Sequence, residues 1–267
     1  TNGFYGEVLA NPKNDVFDIE GVSKVAHEVG VPLIVDNTVP SPYGIRPIEW
    51  GADIVVHSLT KFIAGHGTSI GGAIIDSGKF DFSASGRFPN FTEPDPSYHG
   101  LAYWPALGAG SYIIKARVQL LRDLGMAVSP FNAWSILQGL ETLSLRMDRH
   151  WANAAKVAEY LGKQSAVESI SWAGLKSSPW HDRATKYFAG KGYRVQCERW
   201  TRGGAEVRRS TQAAQSRCQH RRRAQPCDSP GLNHSQPVER SRTSCLWRAP
   251  WNGAFVRWTR VNRGHPR

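Results

Sequence analysis

Cysteine is absent from the first 192 residues, and all four cysteines of the 267-residue chain (Cys197, Cys218, Cys227 and Cys245) lie beyond them. A disulfide-stapled fold is therefore excluded for that part, and the three spacings between the cysteines fit no C-x-x-C zinc pattern. Lysine is absent from the last 75 residues, and the whole chain holds only two methionines. No apolar run approaches the ~18 residues of a membrane span. The chain begins at Thr1 with no signal-like or transit-like segment, so the expectation is a soluble, cytoplasmic protein.

The charge is split. Residues 1–192 carry 17 Lys and Arg against 18 Asp and Glu, whereas residues 193–267 carry 16 Arg against 4 acids. The overall net charge of +11 therefore belongs to the tail and says nothing about the part before it.

Residues 1–192 have the patterning of an α/β enzyme. Val31–Val35, Ala52–Val56 and Ile70–Ile75 are short apolar runs bounded by turn residues, as buried strands are. Ile19, Val22, Val25, Ala26 and Val29 recur at helical spacing, and Gly30 is placed to stop that helix. Strand, helix and strand in this order predict a mostly parallel sheet. Phe82 to Ala106 reads as an ordered loop rich in Pro, Gly and aromatics, followed by helices over Tyr112–Leu124, Asn132–Thr142 and Leu145–Leu161. Their apolar positions are expected to pack in the core.

Asn11, Asp36, Ser58, Thr60 and Lys61 form the chemically informative set. Asp36 closes an apolar strand, where a carboxylate can cap a turn or pair with a cationic ring nitrogen. Ser58 and Thr60 follow the next strand. If that segment is extended, alternate side chains share a face, and both hydroxyls can address one anion. Lys61 then supplies an amine whose basicity desolvation or a nearby cation would lower, which suits it to attack an aldehyde carbon.

Val35–Thr38, Val56–Lys61 and Gly65–Thr68 resemble the Cys/Met-metabolism family of enzymes that use pyridoxal 5'-phosphate (PLP), from residue 1 to about 192. The resemblance implies the aspartate aminotransferase-like PLP fold (fold type I). Residues 1–143 would be the C-terminal part of its large, PLP-binding domain. Residues 144–192 would be a linking helix and the start of an incomplete small domain. It also implies that Lys61 carries the cofactor and that Asp36 holds its pyridinium nitrogen. Ser58 and Thr60 would bind the phosphate and Asn11 the ring oxygen, with supporting roles for His57 and His66 and no metal. Phe91–Gly100 and Val128–Leu143 resemble the O-acetylhomoserine sulfhydrylase branch. That implies sulfide replacing acetate to give homocysteine, an amino-acid substrate, and a homo-oligomer when full length. A cystathionine γ-synthase or a γ- or β-lyase of the family is the alternative.

The resemblance further implies a longer protein, with an N-terminal part that completes the phosphate site and a C-terminal domain in place of residues 193–267. With a permitted codon choice, Arg217–Ser229 read one base out of frame gives Val-Ala-Asn-Ile-Gly-Asp-Val-Arg-Ser-Leu-Val-Ile, which resembles that domain. The tail is accordingly expected to be an out-of-frame, disordered segment, with no nucleic-acid or membrane partner. The competing expectation, from a different class, is a non-catalytic basic protein that binds nucleic acid through Arg221–Arg223 and its neighbours.

Overall fold

The computed structural model describes residues 2–165 and 167–188, together with the backbone of a short strand at 196–197. The chain divides into two units, Thr1–Ala224 and Gln225–Arg267, and the second lies wholly outside the described residues.

Four strands form the sheet, in the order β1 (Phe4–Glu7), β2 (Leu33–Asp36), β3 (Ile54–Ser58) and β4 (Gly72–Asp76). The first three are parallel, with Glu7 beside Asp36 and Asp36 beside Val56. β4 runs antiparallel to β3, its Gly72 opposite Ser58. The expected mostly parallel sheet is present, each apolar run yielding a strand that ends one or two residues later than its patterning suggested. The strand at Phe4–Glu7 was not foreseen, since Phe-Tyr-Gly-Glu is short and has no alternation to mark it.

Helix α1 (Ile19–Glu28) crosses from β1 to β2, as expected. Asp18 caps it, its side chain accepting from the Gly21 N–H. The main core lies against this helix and the inner strands, with Val8, Ile19, Leu33, Val35 and Val55 buried. The Phe82–Ala106 segment is ordered as expected, and it includes short helices at Pro89–Thr92 and Tyr103–Leu107. Phe82 stacks on Phe91 at 4.1 Å and meets Phe80, Phe88 and Trp104 edge-on. Aromatic area thus compensates for the loop's sparse backbone pairing.

Helix α2 (Pro130–Glu141) starts at Ser129, whose hydroxyl accepts from Asn132 N–H, with Pro130 in the first turn. Helix α3 (Leu143–Gly162) follows almost at once, so the domain boundary expected at 143/144 falls at its first residue. Helix α4 (His181–Phe188), for which no periodic signal was read, seats Tyr187 and Phe188 in the main core.

Two expectations need correction. Not all apolar positions of the later helices are core: Phe131 is 70 % exposed, and Trp134, Leu137, Leu140 and Leu145 are exposed as well. The reason is local, because α2 turns its Ile136 and Gly139 face inward and leaves the opposite apolar face in solvent. The tail is also not without structure from residue 193. Gln196–Cys197 (β6) pairs antiparallel with Ile170–Ser171 (β5). Tyr193, Val195 and Cys197 alternate with polar residues, a strand-like period in a segment read as patternless. The rest of the tail, including the out-of-frame stretch at 217–229, lies outside the described residues.

Candidate active site

Open α/β sheets place their ligand sites beyond the carboxyl ends of the parallel strands. Here those ends bring Glu7 and the following loop, Asp36 and Ser58 to one edge of the sheet, and Lys61 lies on the turn that leaves β3.

Asp36 has partners on both oxygens. Its Oδ1 accepts the Thr38 N–H at 2.8 Å, and its Oδ2 accepts the Tyr5 hydroxyl at 3.3 Å. Partial burial and the adjacent Asp36 carboxylate push the Tyr5 hydroxyl up to about 12, so Tyr5 is a donor across the physiological range. A carboxylate has about four lone-pair sites, so Asp36 keeps acceptor capacity for a further N–H.

Thr38 locks β2 to β3, since its Oγ1 accepts the Ser58 N–H at 2.8 Å. His57 is buried between these groups. Desolvation lowers its pKa, against the opposing pull of Asp36 and a hydrogen bond to the Asn37 backbone. Its Nδ1 has no hydrogen-bond partner, and a bare lone pair there costs less than an N–H without an acceptor. The neutral imidazole therefore fits the supporting role expected of it. His66, by contrast, is exposed and holds the Ala64 carbonyl at 2.7 Å, a local turn contact.

Lys61 is half-buried and its N–H bonds the Ser58 carbonyl at 3.2 Å. The segment after Ser58 is a series of turns and not extended strand. The alternation that would have put Ser58 and Thr60 on one face therefore does not apply. The physical reason is the 2.9 Å bond from Ala64 N–H to the Leu59 carbonyl and the 2.8 Å bond from Gly65 N–H to the Lys61 carbonyl, which coil the chain. The Thr60 hydroxyl donates to the Gly71 carbonyl at 3.3 Å and accepts the Gly71 N–H at 3.1 Å, tying the turn to the approach of β4. Asn11 lies on the exposed loop beyond β1, and its backbone N–H donates to Glu7 Oε2 at 2.9 Å. The structure thus brings Asp36, Ser58 and Lys61 to one end of the sheet and sets Thr60 and Asn11 on the adjoining turns.

Tyr5, Glu7 and Thr38 take part in this site and were missed in the sequence. Thr38 could have been found, being part of the Asp-Asn-Thr that closes an apolar run. Tyr5 carried no signal, because its strand was not recognised. A cavity of about 310 Å³ lined by His27, Asp53, Lys79 and Phe80 lies at the other end of β3, remote from Lys61. Among the described residues no group of three or more His, Cys, Asp or Glu could hold a metal ion, and no helix is long and apolar enough to cross a membrane.

Comparison with known proteins matches residues 1–212 to the Cys/Met metabolism PLP-dependent enzyme model, beyond residue 192 where the resemblance was expected to end. The O-acetyl-L-homoserine sulfhydrylase of Leptospira meyeri is 59% identical over 195 residues, 70% of this chain and 44% of that protein. The homocysteine synthase of Schizosaccharomyces pombe is 48% identical over 211 residues, 78% of this chain and 49% of that protein. The chain spans about half the length of the curated relatives it matches. Among solved structures, the O-acetylhomoserine sulfhydrylase of Wolinella succinogenes superposes with a TM-score of 0.62 at 35% identity, over 72% of this chain and 51% of that one. A Campylobacter jejuni protein described as an O-acetylhomoserine (thiol)-lyase, which carries N'-pyridoxyl-lysine-5'-monophosphate, superposes with a TM-score of 0.69 at 37% identity, over 72% of this chain and 48% of that one. With its parallel strand ends, its lysine-bearing turn and this match, the chain belongs to the Cys/Met-metabolism family of PLP-dependent enzymes.

Proposed function

We propose that this chain forms the lysine-bearing part of a PLP-dependent enzyme that replaces the acetate of O-acetylhomoserine with sulfide, giving homocysteine. The observation that carries the reading is the placing of Asp36 and of the Lys61 turn at one carboxyl edge of the sheet, in a chain 59% identical to a sulfhydrylase.

The donor set fits the cofactor: one amine, one carboxylate with spare acceptor capacity, and hydroxyls nearby. When bound, PLP supplies an aldehyde carbon and a ring that draws electrons from the substrate's Cα. Lys61 would hold that carbon through its amine and would move protons at Cα and Cβ of the substrate. Asp36 keeps a proton on the ring nitrogen by a charge-assisted hydrogen bond. Tyr5 and the Thr38 N–H hold the Asp36 carboxylate in place while it does so. Ser58 would bind the phosphate. Thr60 would join it by turning its proton away from Gly71, a long bond to give up, and Asn11 would address the ring oxygen.

The exposed apolar face of α2 supports assembly into a homo-oligomer. A cytoplasmic setting agrees with a small amino-acid substrate, and residues beyond 212, where the family match ends, would contribute no native domain. Incubation of a frame-restored chain, with an N-terminal part added, with O-acetylhomoserine and sulfide, against cystathionine as the rival substrate, tests the reaction. Homocysteine formed only from the first pair supports the proposal, whereas cleavage of cystathionine alone would assign a lyase of the same family.

A further inference from the structure

Lys61 stands on a turn whose two sides are fastened differently. On the N-terminal side, β3 and the Thr38 hydroxyl hold Ser58. On the C-terminal side, the Phe62 and Ile63 carbonyls are held by the guanidinium of Arg146 in the first turn of α3. Its Nη1 donates to the Phe62 carbonyl at 2.6 Å and its Nη2 to the Ile63 carbonyl at 3.1 Å. Nη2 also donates to the Gly139 carbonyl at 2.5 Å, and Nε to the Thr142 hydroxyl at 3.1 Å.

The chemistry of this contact is specific. Coiling of the turn leaves the Phe62 and Ile63 carbonyls pointing outward as consecutive acceptors. The last carbonyls of α2, Gly139 among them, lack partners within their own helix. A planar fork with five N–H donors meets both sets at once, which an ammonium on a flexible stem cannot do. A cation is also favoured at the C-terminal end of α2 by the helix dipole. The backbones approach closely to allow it. A methyl group at Gly139 would collide with the Ala64 carbonyl, and one at Gly65, where φ is +77°, would meet Arg146 Nη1. Ile63 and Ala64 are buried against Ile136, Leu143 and Met147 in a second small core.

Resting on the reading of Lys61 as the cofactor lysine, we infer that Arg146 is a positioning residue for it. Arg146 touches no reacting atom; it fixes the turn, so that the amine presents from one backbone geometry. The helices that follow the sheet thereby set the readiness of the lysine.

The test uses the full chain, PLP and borohydride. Fixation on Lys61 in the unmodified protein is the control, and fixation elsewhere would refute the Lys61 reading and not the clamp. Given that control, Arg146→Ala and Arg146→Lys should each weaken PLP binding about tenfold or more, as loss of several charge-assisted bonds implies. The Ala64 and Gly65 amides should exchange about tenfold faster in both, with exchange in α1 unchanged. Added guanidinium should restore binding to Arg146→Ala and leave Arg146→Lys as it is. Thr142→Val, which removes one of the four acceptors of Arg146, should show the same changes in smaller measure. Unchanged binding and exchange in folded Arg146→Lys overturns the inference. So does global unfolding of all three variants with no folded form in which the turn alone is looser, since Arg146 would then serve the fold and not the turn.

Discussion

Tyr5 on β1 donates its hydroxyl to Asp36 on β2 at 3.3 Å, so two neighbouring strands share the carboxylate that the chemistry needs. Tyr5→Phe removes one donor and leaves the ring. A neutral donor to a charged acceptor contributes about 1.5–3 kcal/mol, less for an exposed pair. The expected outcome is a roughly two- to tenfold loss of PLP affinity with folding intact, read by spectral titration. An affinity equal to that of the unmodified chain would mean that Tyr5 does not steady Asp36.

In the frame-restored chain with an N-terminal part added, Asp36→Ala should retain some PLP, because the lysine attachment and phosphate contacts remain, yet lose nearly all turnover. The ring nitrogen then has no carboxylate to keep it protonated. Turnover numbers and cofactor content measured on one preparation separate the two effects. A variant that turns over as fast as the parent contradicts the assignment.

Asp95 anchors the aromatic loop. Its Oδ1 accepts the Ser97 hydroxyl at 2.7 Å and its Oδ2 the Tyr103 hydroxyl at 2.7 Å, with Lys115 3.8 Å away. The Ser97 hydroxyl first, then Tyr103, hold this carboxyl down at about 2. A depressed folded-state pKa contributes stability that is complete above the unfolded value of about 3.9 and is lost as pH falls toward 2. Thermal midpoints of the parent and of Asp95→Asn should therefore differ most above pH ~4 and converge between pH ~4 and ~2. A gap that stays constant over that interval would rule out this role.

Much of this arrangement could be read from the residues. Asp36 and Ser58 stand out because each closes an apolar run, and Gly30 marks the end of α1 (Ile19–Glu28) to within two residues. What escaped was non-local. Thr60 was expected to continue a strand, but the bonds that coil the turn run to partners that no spacing reveals. Phe131 and Trp134 have the hydrophobicity of core residues, and only the packing of α2 shows which of its faces is turned out. Arg146 looks like an ordinary helix-surface charge, and its role appears only once Phe62 and Ile63, more than 80 positions earlier, are seen to lie beneath it.

The tail gives a further prediction. Beyond residue 212, where the family match ends, Arg217–Ser229 resemble the family's C-terminal domain when read out of frame. The nucleotide sequence over these codons should restore that domain with a one-base shift, and a restored chain with an N-terminal part added should make homocysteine where the present chain does not. Turnover by the present chain, or salt-dependent nucleic-acid binding lost with the tail, would contradict it.

The identity of the cofactor lysine is the most direct test. Lys115 is the natural rival: its side chain is nearly buried, desolvation lowers its pKa against the pull of Asp95, and it lies 4.3 Å above the Tyr103 ring. A lowered pKa alone would favour it as the amine that attacks an aldehyde. Its surroundings, however, are the aromatic loop, and its neighbouring carboxylate, Asp95, is already held by the Ser97 and Tyr103 hydroxyls. Borohydride reduction of the PLP complex, followed by peptide mass mapping, decides between them. The predicted result is a pyridoxyl mass on the peptide that contains Lys61, lost in Lys61→Ala. A label on Lys115 or any other lysine, with Lys61 unmodified, would contradict the account.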